Sequence, residues 1–430
     1  MFPVARALRI AMVAACPLPA RRGTPLRIER LAQALSARGH DVELFTYHLA
    51  EERGRLDFPV HRIFGRLEVG DLPPGPTLAK LGLWDPALAR LIAHRLAERN
   101  FDVIHAHHFE GLLAAAWGRR GHRVPLVYDA HTTLVGELPA YGPSWLRRPA
   151  QVLGRRLDGW IPRLADHLIV VTDDIASELT DRHGFDPRRI TMVRNGVEVE
   201  SFAPGGEPPR ASRPDLLAYT GTLAPYQGMD LLLQAFAQAL AMRPQLRLRL
   251  LVSSSFDPFM PMAQRLGVAH ALEIVRENFE TVPSLLAEAG IALLPRVDCP
   301  GLPQKLLNYM ASGRAIVAFA GSAKLVEHEV NGLVVPNHDV EGFARAIVRL
   351  VDDPALAARL GRAAHRFVVE TSTWGKAAER CERVYAGLLG LEQPAEARAP
   401  EPPATSILPL TLGGAGASKA VEQAPLTPVP

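Results

Sequence analysis

Short apolar runs alternate with amphipathic segments along most of this chain. The run at 8–15 predicts a buried strand, and apolar residues at helical spacing over 28–38 predict a helix. The same order continues with predicted strands at 41–48, 102–108 and 124–133 and a helix at 84–99. Strands that alternate with helices are typical of a parallel sheet covered by helices, so the first half of the chain predicts an α/β domain.

A segment rich in Pro and Gly, 204–214, interrupts this order and predicts a linker between two domains. Beyond it, apolar runs predict strands at 215–221, 246–252, 271–278, 291–295 and 315–319. The segment 324–336 predicts a helix followed by a turn, and 373–391 predicts a last amphipathic helix. We therefore expect α/β domains at 1–203 and 215–372, the helix at 373–391, and a disordered tail rich in Pro and Ala at 392–430.

Composition and charge narrow the class of protein. Of the 430 residues, 48% are hydrophobic and 22% are charged, as is usual for a globular protein with more than one domain. The net charge of +3 is too small to argue for a nucleic-acid partner. Cys16, Cys299 and Cys381 lie far apart, which fits the reducing cytoplasm and gives no metal-site pattern. The apolar start of the chain loosely resembles a lipoprotein signal, but it is short, and we interpret it as the first strand.

The stretch 291–313 carries the chemistry that a phosphate site needs. It predicts a buried strand, a polar loop that contains Arg296, and a helix with Lys305 near its start. Ligands of open α/β sheets bind beyond the carboxyl ends of the strands, where helix N-termini favour anions. The stretch therefore predicts a phosphate-binding loop; the alternative is an ordinary connection with two solvated cations.

Two other positions are candidates for binding or catalysis. His131 directly follows a predicted strand, so it can act as an acid or base or orient a hydroxyl, although a lone histidine is more often structural. Gly23 and Thr24 lie in the predicted loop after the first strand, where a glycine lets the backbone approach a ligand or simply forms a turn. His105, His107 and His108 show no recognised ligand spacing, and we expect them to be structural.

The segment 141–167 contains five arginines and two tryptophans, interrupted by prolines. Arginine and tryptophan together are typical of a surface that lies on an anionic membrane. The alternative is a solvated arginine face on a pair of surface helices, which is the more common arrangement.

The order of motifs resembles a known family. The motifs are RGTPLRIERLAQALSARGHDVELFTY, DVIHAH, YDAH, ITMVRNGVEVESFAP, YTGTLAPYQGMDLLLQAF and LPQKLLNYMASGRAIVAF. Together they resemble the retaining nucleotide-sugar glycosyltransferases of the GT-B fold, of the family 4 type, over 8–391. The resemblance implies two Rossmann-like domains that face each other across a cleft, with the donor on the second, the acceptor on the first, and a last helix that crosses back. It also implies catalysis with no metal and no other cofactor.

Several residues depart from the family's pattern. Where the family carries an arginine and a lysine that clamp the donor diphosphate, this chain has Thr222 and Gln227, and the family's paired glutamates fall on Pro300 and Asn308. Asn308 can still hydrogen-bond a hydroxyl. We expect Arg296 and Lys305 to supply the missing positive charge. The resemblance thus assigns donor binding to Gly221, Thr222, Gln227, Gly228, Arg296, Lys305, Leu306 and Asn308, and places His131 near the transferred sugar.

The leading hypothesis is a retaining, metal-independent glycosyltransferase that moves a sugar from a nucleoside-diphosphate sugar to a glycan or a lipid-linked acceptor. Segment 141–167 would then touch the inner face of an anionic membrane. A degenerate GT-B protein that binds a sugar nucleotide or polysaccharide without turnover is the main alternative, because the usual clamp and glutamates are missing. A nucleotide-sugar epimerase of the same fold is a third hypothesis, but it would be expected to carry more acid and base side chains.

Overall fold

The computed structural model describes residues 6–18, 23–47, 56–64, 75, 77, 79–141, 144–208, 210–211, 213–276, 281–299 and 301–391. Two parallel sheets form the framework of this part of the chain. The expected tail at 392–430 lies outside the described residues, as does Pro300.

The first sheet has seven strands, all parallel, in the order β3-β2-β1-β4-β5-β6-β7. The strand order reverses between β1 and β4, and a crevice for ligands opens at the carboxyl ends on either side of such a point. The strands are Arg9–Ala14 (β1), Asp41–Thr46 (β2), Val60–Arg62 (β3), Val103–His107 (β4), Leu126–Ala130 (β5), His167–Val170 (β6) and Ile190–Met192 (β7).

Helices pack on both faces of this sheet, so β4 and β5 are buried along their whole length. The helices are Gly23–Ala37 (α1), Asp85–Glu98 (α2), His108–Gly118 (α3), Leu134–Glu137 (α4), Arg147–Asp158 (α5), Asp173–Ser177 (α6) and Val199–Phe202 (α7). The expectation that Gly23 and Thr24 lie in a loop is wrong, because α1 begins at Gly23. Their amide groups instead belong to the first turn of a helix, which lacks partners within the helix.

The second sheet has six parallel strands in the order β10-β9-β8-β11-β12-β13 and reverses between β8 and β11. Its strands are Arg213–Gly221 (β8), Arg247–Val252 (β9), Leu272–Arg276 (β10), Ala289–Leu294 (β11), Ala315–Phe319 (β12) and Leu333–Val335 (β13). The remaining helices are Met229–Met242 (α8), Met260–Arg265 (α9), Val282–Glu288 (α10), Gln304–Ala311 (α11), Val340–Asp352 (α12), Pro354–Thr371 (α13) and Trp374–Leu389 (α14).

The helix expected within 324–336 does not form, and the chain turns there before entering β13. Asn331 Oδ1 accepts a hydrogen bond from the Glu327 amide at 2.8 Å, and His328 Nδ1 accepts one from the Val334 amide at 3.0 Å. Glu329 has a positive φ of 62°. Side chains that bond the local backbone give a turn an advantage over a helix, which explains the wrong prediction.

The last helix, α14, packs on the first domain although it follows the second in sequence. The Thr373 side chain caps it by accepting a hydrogen bond from the Lys376 amide at 3.1 Å. Tyr385 and Cys381 are buried with residues of β1 and α1 in one apolar core. Glu382 binds Arg38 at 2.5 Å and His40 at 2.9 Å. Of the helices described, none combines the length and the apolar character needed to cross a membrane.

Candidate active site

Two glycines, one at the end of β8 and one in the loop that follows, let this loop fit against the carboxyl end of β11. Gly221 and Gly228 have φ of +121° and +71°, which side chains rarely allow. A Cβ on Gly228 would lie 2.3 Å from the carbonyl oxygen of Pro295, and one on Gly221 would lie 2.9 Å from Lys305 Nζ. The two glycines therefore let the loops after β8 and β11 and the start of α11 come together.

Lys305 occupies the centre of this junction. Its ammonium group donates to Gln227 Oε1 at 2.9 Å and to the Tyr219 hydroxyl at 3.1 Å, and lies 4.3 Å from the centre of the Tyr219 ring. The Tyr219 hydroxyl in turn donates to the carbonyl oxygen of Thr222 at 2.8 Å. The sequence analysis missed Tyr219, which gives no signal of its own within an apolar strand. The cation of α11 thus lies beside Thr222 and Gln227, the two positions where the family pattern carries its clamp.

Arg296 is part of the same edge but has different neighbours. Its Nε donates to the carbonyl oxygen of Asp298 at 2.6 Å, and its guanidinium lies 4.7 Å from the centre of the exposed Tyr226 ring. Stacking on an aromatic face leaves the outer edge of a guanidinium accessible to an anion. Pro303 precedes α11, and no described side chain caps this helix. The first amides of α11 therefore supply further hydrogen-bond donors for an anion, beside the two cations.

The side chains of Leu306 and Asn308 have different surroundings from that of Lys305, although all three belong to α11. The Leu306 side chain is fully buried in the second domain, so only its backbone can reach a ligand. Asn308 lines an open cavity of about 560 Å³. Two domains contribute to its wall, with Leu26, Arg30, Glu198, Val282, Gln304 and Trp374 among the lining residues. Asn308 therefore faces space large enough for a nucleoside, while Lys305 faces the loop after β8.

In the first domain, the carboxyl end of β5 holds a buried ion pair that sequence analysis missed. Arg27 of α1 donates to both oxygens of Asp129, at 3.0 and 3.1 Å, and to Asn195 Oδ1 at 2.9 Å. Burial by itself would raise the pKa of Asp129, but the positive charge of Arg27 holds that pKa well below its usual range. The YDAH motif and an arginine on the amphipathic helix were visible in the sequence, but their pairing required the fold.

His131 lies beside this ion pair. Its Nε2 is 3.2 Å from His107 Nδ1 and 3.8 Å from Asp129 Oδ2, and its side chain is only 6% exposed. Burial lowers the pKa of His131 well below its ordinary value, and Arg27 lowers it further against the opposing effect of Asp129. The imidazole is therefore neutral at neutral pH, and it can exchange hydrogen bonds with a hydroxyl but cannot serve as a fixed cation.

His105, His107 and Asp129 bring three ligand atoms within 4.8 Å of one another, a spacing that could hold a metal ion. The sequence analysis did not expect this cluster, because the histidines alone have no ligand spacing. Both Asp129 oxygens already accept hydrogen bonds from Arg27, and a guanidinium at this distance opposes a second cation. His105 Nδ1 also lies 2.6 Å from the Tyr385 hydroxyl of α14. The arrangement therefore fits a buried network that holds His131 in place better than a metal centre.

A second polar cluster follows β4 and β5. His108 Nε2 lies 2.9 Å from Glu137 Oε2, and Glu137 accepts from the Thr132 hydroxyl at 2.5 Å and the Tyr141 hydroxyl at 2.6 Å. Burial alone would lower the pKa of His108, but Glu110 and Glu137 raise it to about 9. Burial would raise the pKa of Glu137, but His108 and the two hydroxyls lower it to about 2. Both groups are therefore charged at neutral pH. The sequence analysis, which expected His108 to be structural, did not predict this charged pair.

Comparison with known proteins agrees with this architecture. Residues 22–201 match the family model described as Glycosyltransferase Family 4, and residues 214–353 match that described as Glycosyl transferases group 1. The chain is 30% identical over 402 residues to D-inositol 3-phosphate glycosyltransferase of Streptomyces bingchenggensis, covering 80% of this chain and 84% of that protein.

Solved structures share the fold at low sequence identity. Sucrose-phosphate synthase from Thermosynechococcus elongatus superposes with a TM-score of 0.67 at 19% identity, over 89% of this chain and 99% of that one. Anabaena Alr3699/HepE in complex with UDP and glucose superposes with a TM-score of 0.61 at 18% identity, over 88% and 99%. The two parallel sheets, the family matches and these relatives lead to one conclusion: this chain belongs to the family 4 glycosyltransferases of the GT-B fold, enzymes that use nucleotide-sugar donors.

Proposed function

We propose that this enzyme transfers a sugar from a nucleoside-diphosphate sugar to a hydroxyl group of a glycan or lipid-linked acceptor, with retention of anomeric configuration and without a metal ion. The observation that carries the proposal is the position of Lys305. Its ammonium group lies against Gln227 and next to Gly221, so positive charge is present where a diphosphate would meet the loop after β8. Fixed positive charge at that point makes a bound metal ion unnecessary for neutralising the leaving group.

In this mechanism the bond between the anomeric carbon and the β-phosphate oxygen breaks, and its electron pair leaves with the nucleoside diphosphate. Lys305, Arg296 and the first amides of α11 stabilise the negative charge that develops there. The acceptor hydroxyl oxygen forms the new bond on the face from which the phosphate departs. Its proton passes to a phosphate oxygen, so the protein does not need a strong base.

His131 and Asn308 would hold the two ends of the donor. Asn308 faces the cavity between the domains, and its amide is suited to hydrogen-bond ribose hydroxyls. The neutral His131, fixed beside Asp129 and His107, is suited to hydrogen-bond a hydroxyl of the transferred sugar. Each group orients the donor, and neither changes its charge during transfer.

Uridine diphosphate is the first ligand to test, because structurally similar proteins are described in complex with UDP or UDP-glucose. We expect the protein to bind UDP in the presence of a chelator, and Lys305→Met to weaken binding about tenfold or more, equivalent to 1.4 kcal/mol. Lys376→Met, which removes an exposed lysine on α14, is the matched control. Equal affinities for the wild type and the Lys305 variant would contradict the proposed phosphate site.

A second candidate is a protein that binds a sugar nucleotide without turnover. The replacement of the clamp cations by Thr222 and Gln227 and of the second glutamate by Asn308 favours it. UDP binding together with neither sugar transfer nor donor hydrolysis, across a panel of UDP-sugars and acceptors, would support this candidate over the enzyme.

We further propose that α5 and its neighbours contact an anionic membrane, which would bring a lipid-linked acceptor to the cleft. Trp145 and Trp160 are 75% and 58% exposed, and Val152 and Leu153 on α5 are also exposed. The helix itself buries only Gly154 and Asp158. Exposed apolar side chains next to arginines match the headgroup region of an anionic bilayer in both polarity and charge. Exposed tryptophans are unfavourable on a helix that contacts only water. The arginines are Arg147, Arg148, Arg155, Arg156 and Arg163.

A further inference from the structure

Five polar residues of the first domain form one cluster at the carboxyl edge of its sheet. We define this acceptor cluster as Lys80, His108, Glu110, Thr132 and Glu137. His108 and Thr132 follow β4 and β5, and Thr132 is the next residue after His131. In an open α/β sheet this edge is where ligands bind. The cluster therefore lies next to the histidine that would contact the transferred sugar.

Glu110 supplies an unused hydrogen-bond acceptor in this cluster. The residue is only 3% exposed, and among the described residues no donor reaches its Oε1 within hydrogen-bond distance. Two cations lie close to this carboxylate: Lys80 Nζ is 3.7 Å from Oε1, and His108 Nδ1 is 3.6 Å from Oε2. A buried carboxylate oxygen without a donor is costly, and a hydroxyl group of a ligand would remove that cost.

The charges of the cluster show which ligands it can accept. Two cations, Lys80 and His108, face two carboxylates, Glu110 and Glu137, so each positive charge is already compensated. A phosphate monoester carries roughly two negative charges. It would have to displace both carboxylates or lie close to them, and they would repel it. Sugar hydroxyls donate hydrogen bonds to carboxylates without that repulsion.

The backbone of His108 supports a role in binding. Its φ of 63° is uncommon for a residue other than glycine, and a conformation of this kind is strained. The strained residue starts α3 and places its imidazole between Glu110 and Glu137. Strain of this kind persists where the surrounding structure fixes a functional side chain.

We propose that the acceptor cluster binds an uncharged sugar or polyol, with Glu110 and Glu137 accepting hydrogen bonds from its hydroxyl groups, and that it discriminates against a phosphate monoester at the same position. This specificity rests on the proposed function, since it concerns the acceptor of that transfer. It sets the chain apart from the relatives named for D-inositol 3-phosphate, because there the acceptor carries a phosphate.

The test compares acceptors that differ only in a phosphate. Binding of myo-inositol and inositol 3-phosphate, and of methyl glucoside, N-acetylglucosamine and their 6-phosphates, is measured by saturation-transfer NMR with UDP present. We expect at least one uncharged member to bind about tenfold more tightly than its phosphate. Tighter binding of the phosphorylated members, or binding of no uncharged member, would overturn the proposal.

Variants connect the preference to the two carboxylates. Glu110→Gln and Glu137→Gln should each weaken binding of the uncharged compound about tenfold, whereas Glu370→Gln, an exposed glutamate on α13, should not. The affinity for UDP is measured for every variant and should stay unchanged. If the wild type binds UDP but shows no preference for the uncharged acceptor, this inference alone is refuted, whereas failure of the wild type to bind UDP refutes the proposed donor site. Variants with the same affinities as Glu370→Gln would also refute the inference.

Discussion

The ammonium nitrogen of Lys305 lies 2.9 Å from Oε1 of Gln227, although 78 positions separate the two residues in the sequence. Gln227 occupies the position at which the family pattern has a lysine, and Lys305 belongs to the helix that follows β11. We infer that Lys305 supplies the charge of the missing lysine from the neighbouring helix, because its ammonium group contacts the residue at that position. This relationship gives the first prediction.

Moving the lysine back should restore donor binding. We expect Lys305→Met to weaken UDP binding, and Gln227→Lys to recover most of the loss when it is added to Lys305→Met, because the two side chains are in contact. Gln227→Lys in the otherwise unchanged protein should not tighten binding, since two ammonium groups at this distance repel each other. Isothermal titration of the four proteins tests the idea, and additive effects of the two substitutions would contradict it.

The contacts of Arg296 predict an unequal effect of two neighbouring substitutions. Arg296→Ala should weaken nucleoside-diphosphate binding markedly, by about tenfold, because it removes a guanidinium that can bind two phosphate oxygens. Thr222→Ala should have little effect, because it keeps the carbonyl oxygen that accepts from Tyr219 and removes only a long hydrogen bond, at 3.5 Å, from the Gln227 amide to the Thr222 hydroxyl. Small and equal effects in the titrations would show that Arg296 does not replace the missing arginine.

Gly228 should tolerate alanine poorly. Its φ of +71° is nearly that of Gly267, at +72°, but a Cβ on Gly228 would lie 2.3 Å from the Pro295 carbonyl oxygen, whereas one on Gly267 would meet no described atom within 4 Å. Gly267→Ala therefore measures the backbone cost alone, about 1 kcal/mol. Gly228→Ala should cost at least about 2 kcal/mol more in the free energy of unfolding, measured by denaturant titration. Equal costs would mean that the two loops are not packed as described.

The His108–Glu137 pair should make stability depend on pH. The pKa of His108 is raised from 6.5 to about 9, so its contribution is complete below about pH 6.5 and is lost as the pH rises through about 9. The pKa of Glu137 is lowered from 4.5 to about 2, so its contribution is present above about pH 4.5 and is lost as the pH falls through about 2. The free energy of unfolding should therefore fall between about pH 6 and pH 9.5 by more in the wild type than in His108→Gln. Parallel pH profiles would contradict this ion pair.

The exposed tryptophans should govern membrane binding. We expect the protein to sediment with vesicles rich in anionic lipid at low salt and to dissociate at high salt, because the arginines near α5 bind the headgroups. Trp145→Ala together with Trp160→Ala should reduce the bound fraction, whereas Trp117→Ala, an exposed tryptophan on α3, should not. Binding that is indifferent to lipid charge would exclude this surface as an anionic membrane contact.

The sequence by itself determined the fold class and predicted a candidate phosphate site. Periodic apolar runs identify buried strands and amphipathic helices because burial repeats with the geometry of each element, and Arg296 and Lys305 stood out because they flank a strand-loop-helix connection. The wrong helix within 324–336 and the misplaced start of α1 show the limit of this information, since local side-chain hydrogen bonds and helix ends depend on exact geometry.

Only the tertiary structure decided which side chains meet. Three pairs of residues that are far apart in the sequence come into contact in the fold. They are Arg27 with Asp129, Lys305 with Gln227, and His108 with Glu137. For Asp129, His108 and Glu137 these neighbours fix the charge at neutral pH, because burial and a nearby charge move the pKa away from the value that is usual for the residue type. A sequence pattern shows which residue types are available, whereas the distances that fix their protonation and hydrogen bonds follow from the packing of two sheets and a returning helix.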